Sequence, residues 1–178
     1  MPASAPQPEQ LLLASDGRTP NSSHPVLIYR NLPLGHSGLA SRFERLFASH
    51  LWPSPGPACL HGQTHYHSTC HEVLGIARGA ARLLLGGEQG VELELRAGDA
   101  VVLPAGTGHG LSHASPDLEM VSGYPLEQPY DSLQPDAASH DAAVRRIAQV
   151  GTPVMDPLAG SQGALVRLWR SRPVRSVA

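Results

Sequence analysis

Apolar positions recur in two rhythms along this chain of 178 residues. Between Ser37 and about Leu51, Leu39, Phe43, Leu46 and Phe47 return at steps of three and four, with Arg42, Glu44 and Arg45 between them. That spacing predicts an amphipathic helix capped at Ser37, whose apolar face covers a sheet and which Pro53, Pro55 and Pro57 bring to an end. From about Cys59 to Tyr124 the period falls to two. In VELELR, Val91, Leu93 and Leu95 take one face and Glu92, Glu94 and Arg96 the other, while Gly79, Gly86, Gly87, Gly90, Gly98 and Gly106 cut the region into short segments. Short antiparallel strands with a turn every eight to twelve residues or so predict a sandwich or a small barrel.

The flanks follow neither rhythm for long. Residues 1–25 are rich in Pro and Ser and include the turn-forming run ASDGRTPNSS, so an irregular arm is expected there, followed by an edge strand at Val26 to Arg30. After Tyr124, three prolines (Pro125, Pro129, Pro135) precede a helical stretch from about Ala137 to Gln149, with Ala138, Ala142, Val144 and Ile147 as its apolar members. Ala164 to Trp169 reads as a short strand or tail packed on the barrel or on a partner subunit. The chain thus divides into an arm, edge strand and covering helix (1–58), a barrel core (59–124), and a C-terminal helix and tail packed on that core (125–178).

Composition narrows the chemistry. With Gly 18, Pro 17 and only 4% aromatic residues, one compact domain with many turns is expected. All 13 basic residues are Arg, set against 10 His and no Lys. A Schiff base to a carbonyl substrate, a P-loop lysine and a Ser/Lys dyad are therefore excluded. The formal charge of -2 and the scattered Arg residues leave no basic footprint for nucleic acid. The N-terminus has no basic region before its three leucines, and no apolar run exceeds strand length, so a soluble, cytoplasmic protein without a membrane partner is expected. Cys59 and Cys70 make no disulfide framework and read as small thiols in a reducing compartment.

The histidine surplus has a pattern. Six of the ten lie between His61 and His113, four of them in HGQTHYHSTCH. His65 and His67 are two apart, so on a strand both imidazoles leave the same face and can converge on one ion. Glu72 follows past a Ser68-Thr69-Cys70 segment that can turn the chain, and His109 follows the turn Pro104-Ala105-Gly106-Thr107-Gly108. Satisfied core histidines are the alternative for such a cluster.

These residues carry a resemblance. His65-x-His67-x4-Glu72-x6-Gly79 is similar to the first cupin motif, and Gly98-x5-Pro104-x-Gly106-x2-His109 to the second. Two positions depart from it: Cys59 stands where the first motif usually begins with Gly, and His113 where the second usually ends in Asn. The resemblance implies an all-β core, a cupin double-stranded β-helix or jelly-roll barrel, with flanking N-terminal and C-terminal helices. It further implies one divalent transition metal held by His65, His67, Glu72 and His109. Three imidazoles and a carboxylate suit Fe, Mn, Zn, Ni, Co or Cu better than Ca or Mg, and leave about two positions of an octahedral ion open.

Around that set, His61 and Gln63 share the strand parity of His65 and His67, which puts them either in the pocket as outer donors or at a strand edge. His113 shares parity with His109 and is expected inward, as a hydrogen-bonded structural histidine or a pocket residue. Tyr124 ends the last core strand, at the pocket mouth or in ordinary packing. His71 and Tyr66 are expected to face away from the site, and Arg78 and Arg82 to be solvated. Three functions compete: a metalloenzyme acting on a small organic molecule by dioxygenase, isomerase or decarboxylase chemistry, a non-catalytic small-molecule binding or sensor barrel for an acid or sugar, and a metal-free sugar epimerase. The third needs a catalytic His/Tyr pair rather than a complete ligand set. A homodimer is the assembly the resemblance implies.

Overall fold

The computed structural model describes residues 6–58, 60 and 62–170. Eleven elements follow in order: β1 (Glu9–Leu11), β2 (Val26–Tyr29), α1 (Leu39–Ser49), β3 (Glu72–Arg78), β4 (Ala80–Leu85), β5 (Val91–Arg96), β6 (Ala100–Leu103), β7 (His109–Ala114), β8 (Glu119–Gly123), α2 (His140–Ile147) and α3 (Ala164–Arg170). The strands form two antiparallel sheets, one of five in the order β1-β2-β6-β3-β8 and one of three in the order β5-β4-β7. This is the jelly-roll architecture that the cupin resemblance implies, with three helices among the described residues. None of the helices among the described residues is long and apolar enough to cross a membrane.

Two apolar layers lie on the two faces of the larger sheet. Val26, Ile28, Leu74, Ile76, Val101 and Leu103 point inward and meet Leu83, Leu85, Leu93 and Leu95 of the smaller sheet. The alternate residues, Leu27, Tyr29, Val73, Ala100 and Val102, point outward beneath Phe43 and Phe47 of α1 and Leu165 and Trp169 of α3. Strands β2 and β6 are therefore buried along their whole length, which is why VLIY and AVVL carry no alternation. Phe43 and Phe47 are fully buried, and each contributes about 1.5–3 kcal/mol through removal of its ring from water. Gly75 makes that approach geometrically feasible: a Cβ there would sit 2.7 Å from the Phe43 ring.

Several boundaries differ from the sequence expectation. Helix α1 begins at Leu39 rather than Ser37, because Gly38 takes a left-handed conformation (φ 64°) that turns the chain into the helix without a side-chain cap. The N-terminal arm is not wholly irregular: Glu9–Leu11 pairs with β2, so β1 is the edge and β2 is interior. The Ala164 segment is a helix, not a strand. Asp156 sets its position, since this fully buried carboxylate accepts from Leu158 N, Ala159 N, Leu165 N and the Tyr29 hydroxyl. In α2 the buried member is Ala143, while Val144 is exposed.

Candidate metal centre

The site lies where the two sheets open. Glu72 is the first residue of β3 and shares inward parity with Leu74 and Ile76 of the barrel layer. His109 is the first residue of β7 and pairs with Leu85, another inward position. An extended segment carrying His65 and His67 lies beside them: His65 N donates to His109 O at 3.0 Å, and His109 N donates back to His65 O at 2.9 Å. Tyr66, between the two imidazoles, is fully buried on the other side and bridges to Leu133. The turn of the second motif docks on this segment through Gly106 N, which donates to His67 O at 2.7 Å.

Four of the expected residues meet here. A ring nitrogen from each of His65, His67 and His109 lies within 4.8 Å of those of the other two, so the trio can hold a metal ion. Glu72 Oε2 lies 3.1 Å from His67 Nε2 and 3.0 Å from His109 Nε2. Two carbonyls define the imidazoles, because a carbonyl only accepts. Asp131 O receives the proton of His67 Nδ1, and Thr107 O receives that of His109 Nδ1 at 2.9 Å. In the neutral ring each Nε2 is thereby left with its lone pair directed at the Glu72 carboxylate, where it can take up a proton or a metal ion. His109 Nε2, fully buried, makes no hydrogen bond among the described residues despite its 3.0 Å approach to Oε2. Acceptors turned toward one another at about 3 Å have the spacing of neighbouring donors on an ion with bonds of about 2.1 Å. The three imidazoles can therefore hold a transition metal, and the Glu72 carboxylate lies beside two of them.

The site's own electrostatics are consistent with that fit. Burial, helped by the neighbouring His109 and His67, lowers the His65 pKa to about 4. Burial also opposes charge on His67, but the hydrogen bond and charge of Glu72 outweigh it, and its pKa is raised. Burial opposes ionisation of Glu72 in turn, and the His109 and His67 imidazoles facing it, when protonated, prevail and hold it well below the usual carboxylate range. Glu72 Oε1 accepts from the Tyr124 hydroxyl at 2.7 Å; burial first and the Glu72 charge second push that phenol far above its ordinary value.

The remaining expected residues are distributed as follows. Tyr124 joins the site through Glu72. Gln63 is exposed and lies on an outer cleft with Asp16, Arg18 and Gln134, accepting from Gln134 Nε2 at 3.2 Å. His113 is exposed on the outer face: a bulge at Ser112 inserts one residue into β7, so that His113 sits opposite Arg82 and the parity inherited from His109 is lost. The inward expectation for His113 is corrected accordingly. His61, like Cys59, lies outside the described residues. His71 does turn away from the site, and Arg78 and Arg82 are exposed and pair with Glu119 and Glu92. Cys70 is buried, and burial pushes its thiol up to about 12, which leaves it unreactive at neutral pH.

Tyr130 and Asp131 are site neighbours that the sequence reading missed. They sit on the proline-rich segment after Tyr124, which carries no periodicity and reads as a connector. That segment is instead a strap. Asp131 Oδ1 accepts from Ser68 N at 2.7 Å and its Oδ2 from Ser68 Oγ at 2.5 Å, Gln128 Oε1 accepts from His71 N at 3.0 Å, and Pro129 O accepts from Thr69 Oγ1 at 2.6 Å. The exposed ring of Tyr130 lies over the site, 5.0 Å from the His67 ring and 5.3 Å from that of Tyr124.

Residues 56–122 match the family model for the cupin domain. The uncharacterized protein YjlB of Bacillus subtilis (strain 168) is 37% identical over 155 residues, covering 86% of this chain and 92% of YjlB. The chain belongs to the cupin family. Among solved structures, this cupin is similar to the epimerase RmlC of Legionella pneumophila, with a TM-score of 0.39 and 15% identity over 70% of this chain and 74% of that one. It is similar also to vicilin of Solanum lycopersicum, with a TM-score of 0.36 and 19% identity over 41% of this chain, and spans 22% of that chain's length.

Proposed function

We propose that this cupin binds one divalent transition metal through His65, His67, Glu72 and His109 and acts on a small organic molecule that enters beside Tyr130. The observation that carries this reading is the buried His109 Nε2. The Nδ1 proton of the same ring is committed to Thr107 O, Nε2 makes no hydrogen bond among the described residues, and it lies 3.0 Å from a carboxylate oxygen. Two lone pairs facing each other in a buried site repel unless a proton or a metal ion lies between them, and a metal ion satisfies both imidazoles and the carboxylate at once. When bound, such an ion supplies a Lewis acid for a carbonyl or enediolate, or a redox centre for oxygen, which is the chemistry of isomerases, decarboxylases and dioxygenases.

The protein's own contribution is orientation and exclusion of water. Thr107 O and Asp131 O fix the two imidazole rings, the Glu72 carboxylate supplies negative charge, and Tyr124 places its hydroxyl oxygen 2.7 Å from that carboxylate, to which it donates. The half-buried His65 and the exposed Tyr130 mark the open side. An aromatic ring over that opening is also a feature of a binding module, so a non-catalytic barrel that captures a small acid or sugar is the second reading.

Turnover separates the two. The metal-loaded protein is incubated with a panel of keto acids, diketones, thiols and sugars while oxygen uptake and product formation are followed. Consumption of one class supports the enzyme; a compound that raises the melting temperature yet emerges unchanged supports the binder. For the assembly we propose a homodimer through the exposed edge strand β1, and light scattering giving a monomer mass at micromolar concentration would contradict it.

A further inference from the structure

Glu72 gives its two oxygens to different partners. Oε2 faces the Nε2 atoms of His67 and His109, whereas Oε1 accepts the hydroxyl proton of Tyr124 at 2.7 Å. The arrangement is built into the sheet. Glu72 opens β3, Tyr124 follows the last residue of β8, and Val73 pairs with Gly123, so the two side chains leave neighbouring positions on hydrogen-bonded strands. The Tyr124 ring is held in place as well, edge-on to His67 at 5.7 Å and to Tyr130 at 5.3 Å.

We propose that Tyr124 is a positioning residue that confines Glu72 to ligation through one oxygen and so preserves room on the metal for a small molecule that binds through two atoms. This rests on the metal-binding reading above. A carboxylate can hold a transition metal by one oxygen or by both. An O–H bond on one oxygen draws on its lone-pair density and ties it to a group that cannot follow the ion. Three imidazoles and one oxygen fill four of about six positions on an octahedral ion, leaving about two. A chelating Glu72 would leave about one, enough for a monodentate ligand but not for a bidentate one such as a 2-hydroxy or 2-oxo acid. The class of ligand admitted is thus set by a phenol that need not touch the metal.

The test uses the full chain, stripped by chelator and loaded with Co(II), in wild-type, Tyr124→Phe and Glu72→Gln forms. Co(II)-minus-apo infrared difference spectra give the separation of the carboxylate stretches of ligated Glu72, assigned by its disappearance in Glu72→Gln. Titrations with acetohydroxamate, which binds through two oxygens, and with azide, which binds through one nitrogen, give the preference for bidentate ligands. In wild type a wide separation is expected. Tyr124→Phe should keep near one equivalent of Co(II), narrow the separation, and lower the affinity for acetohydroxamate relative to azide by about tenfold, the low end of effects from outer-shell groups.

An unchanged separation and an unchanged affinity ratio in Tyr124→Phe would overturn the role of Tyr124 while leaving the metal site standing. A wild type that takes up no Co(II) would overturn the metal reading itself. Should Tyr124→Phe lose its apo melting transition, the wild-type spectrum decides alone, since a narrow, chelating separation contradicts the proposal.

Discussion

Acidification should destabilise the metal-free protein through His71, a residue outside the ligand set. Its imidazole is buried where three segments meet. Nδ1 accepts from Ala105 N at 2.9 Å, in the turn that leads to His109, and Nε2–H donates to Gly151 O at 3.1 Å. The ring also packs against Trp169 of α3, with centroids 4.8 Å apart. A second proton on this ring would have to displace the Ala105 N–H from Nδ1 and charge a buried group, and burial lowers its pKa to about 3. In the unfolded chain it returns to about 6.5. Between these values the unfolded state binds the extra proton and the folded state does not, so stability is lost as pH falls through about 6.5 toward 3.

At pH 5.0 the unfolded imidazole is about 1.5 pH units below its pKa, and RT ln(1 + 10^1.5) is about 2 kcal/mol. Comparison with His71→Gln isolates that contribution, because an amide can accept from Ala105 N and donate to Gly151 O without titrating in this range. Urea unfolding in the presence of chelator at pH 7.5 and 5.0 should cost wild type about 2 kcal/mol more than the variant. Equal losses in the two proteins, within about 0.5 kcal/mol, would refute a neutral, buried His71.

Three further outcomes follow from other parts of the structure. Gly75→Ala should destabilise the protein by about 1–3 kcal/mol, because the new methyl group meets the Phe43 ring at 2.7 Å, and Phe43→Leu should recover part of the loss in the double variant; thermal melting reads both. Asp131→Ala removes the carboxylate that accepts from Ser68 N and Thr69 N beside His67, and should weaken metal affinity about 10- to 100-fold in chelator competition while leaving the stoichiometry unchanged. Metal affinity should also fall with acidification from above pH 6.5, since Glu72 raises the His67 pKa and a proton there must be displaced, whereas His65, lowered to about 4, adds no competition until much lower pH. Affinity independent of pH between 7.5 and 5.0 would contradict that order.

A sandwich or small barrel and the convergence of His65 and His67 were legible because both rest on short-range rules, while Glu72 and His109 joined the set through the resemblance to the two cupin motifs. Parity on one extended segment sent His65 and His67 to the same side, and the alternation in VELELR marked a strand with one wet face. Where a rule depended on an unbroken register it failed. One inserted residue at Ser112 moved His113 from the barrel to the surface, and nothing in HGLSHA marks a bulge. The α3 segment was misread because ALVRLW is too short to establish a period, and its helix depends on Asp156, eight residues before its start. The strap at 128–133 was invisible for a related reason. Its contribution consists of hydrogen bonds to Ser68, Thr69 and His71 about sixty positions away, which no local pattern encodes.

The central claim is that His65, His67, Glu72 and His109 hold one transition metal ion. Elemental analysis of protein purified without chelator from metal-supplemented growth tests it most directly, with His67→Ala as its partner. Near one equivalent of Fe, Mn, Zn, Ni, Co or Cu per wild-type chain is expected, falling to a small fraction of that in His67→Ala. A wild-type chain that emerges without metal, or a His67→Ala chain that retains the full equivalent, would contradict the account.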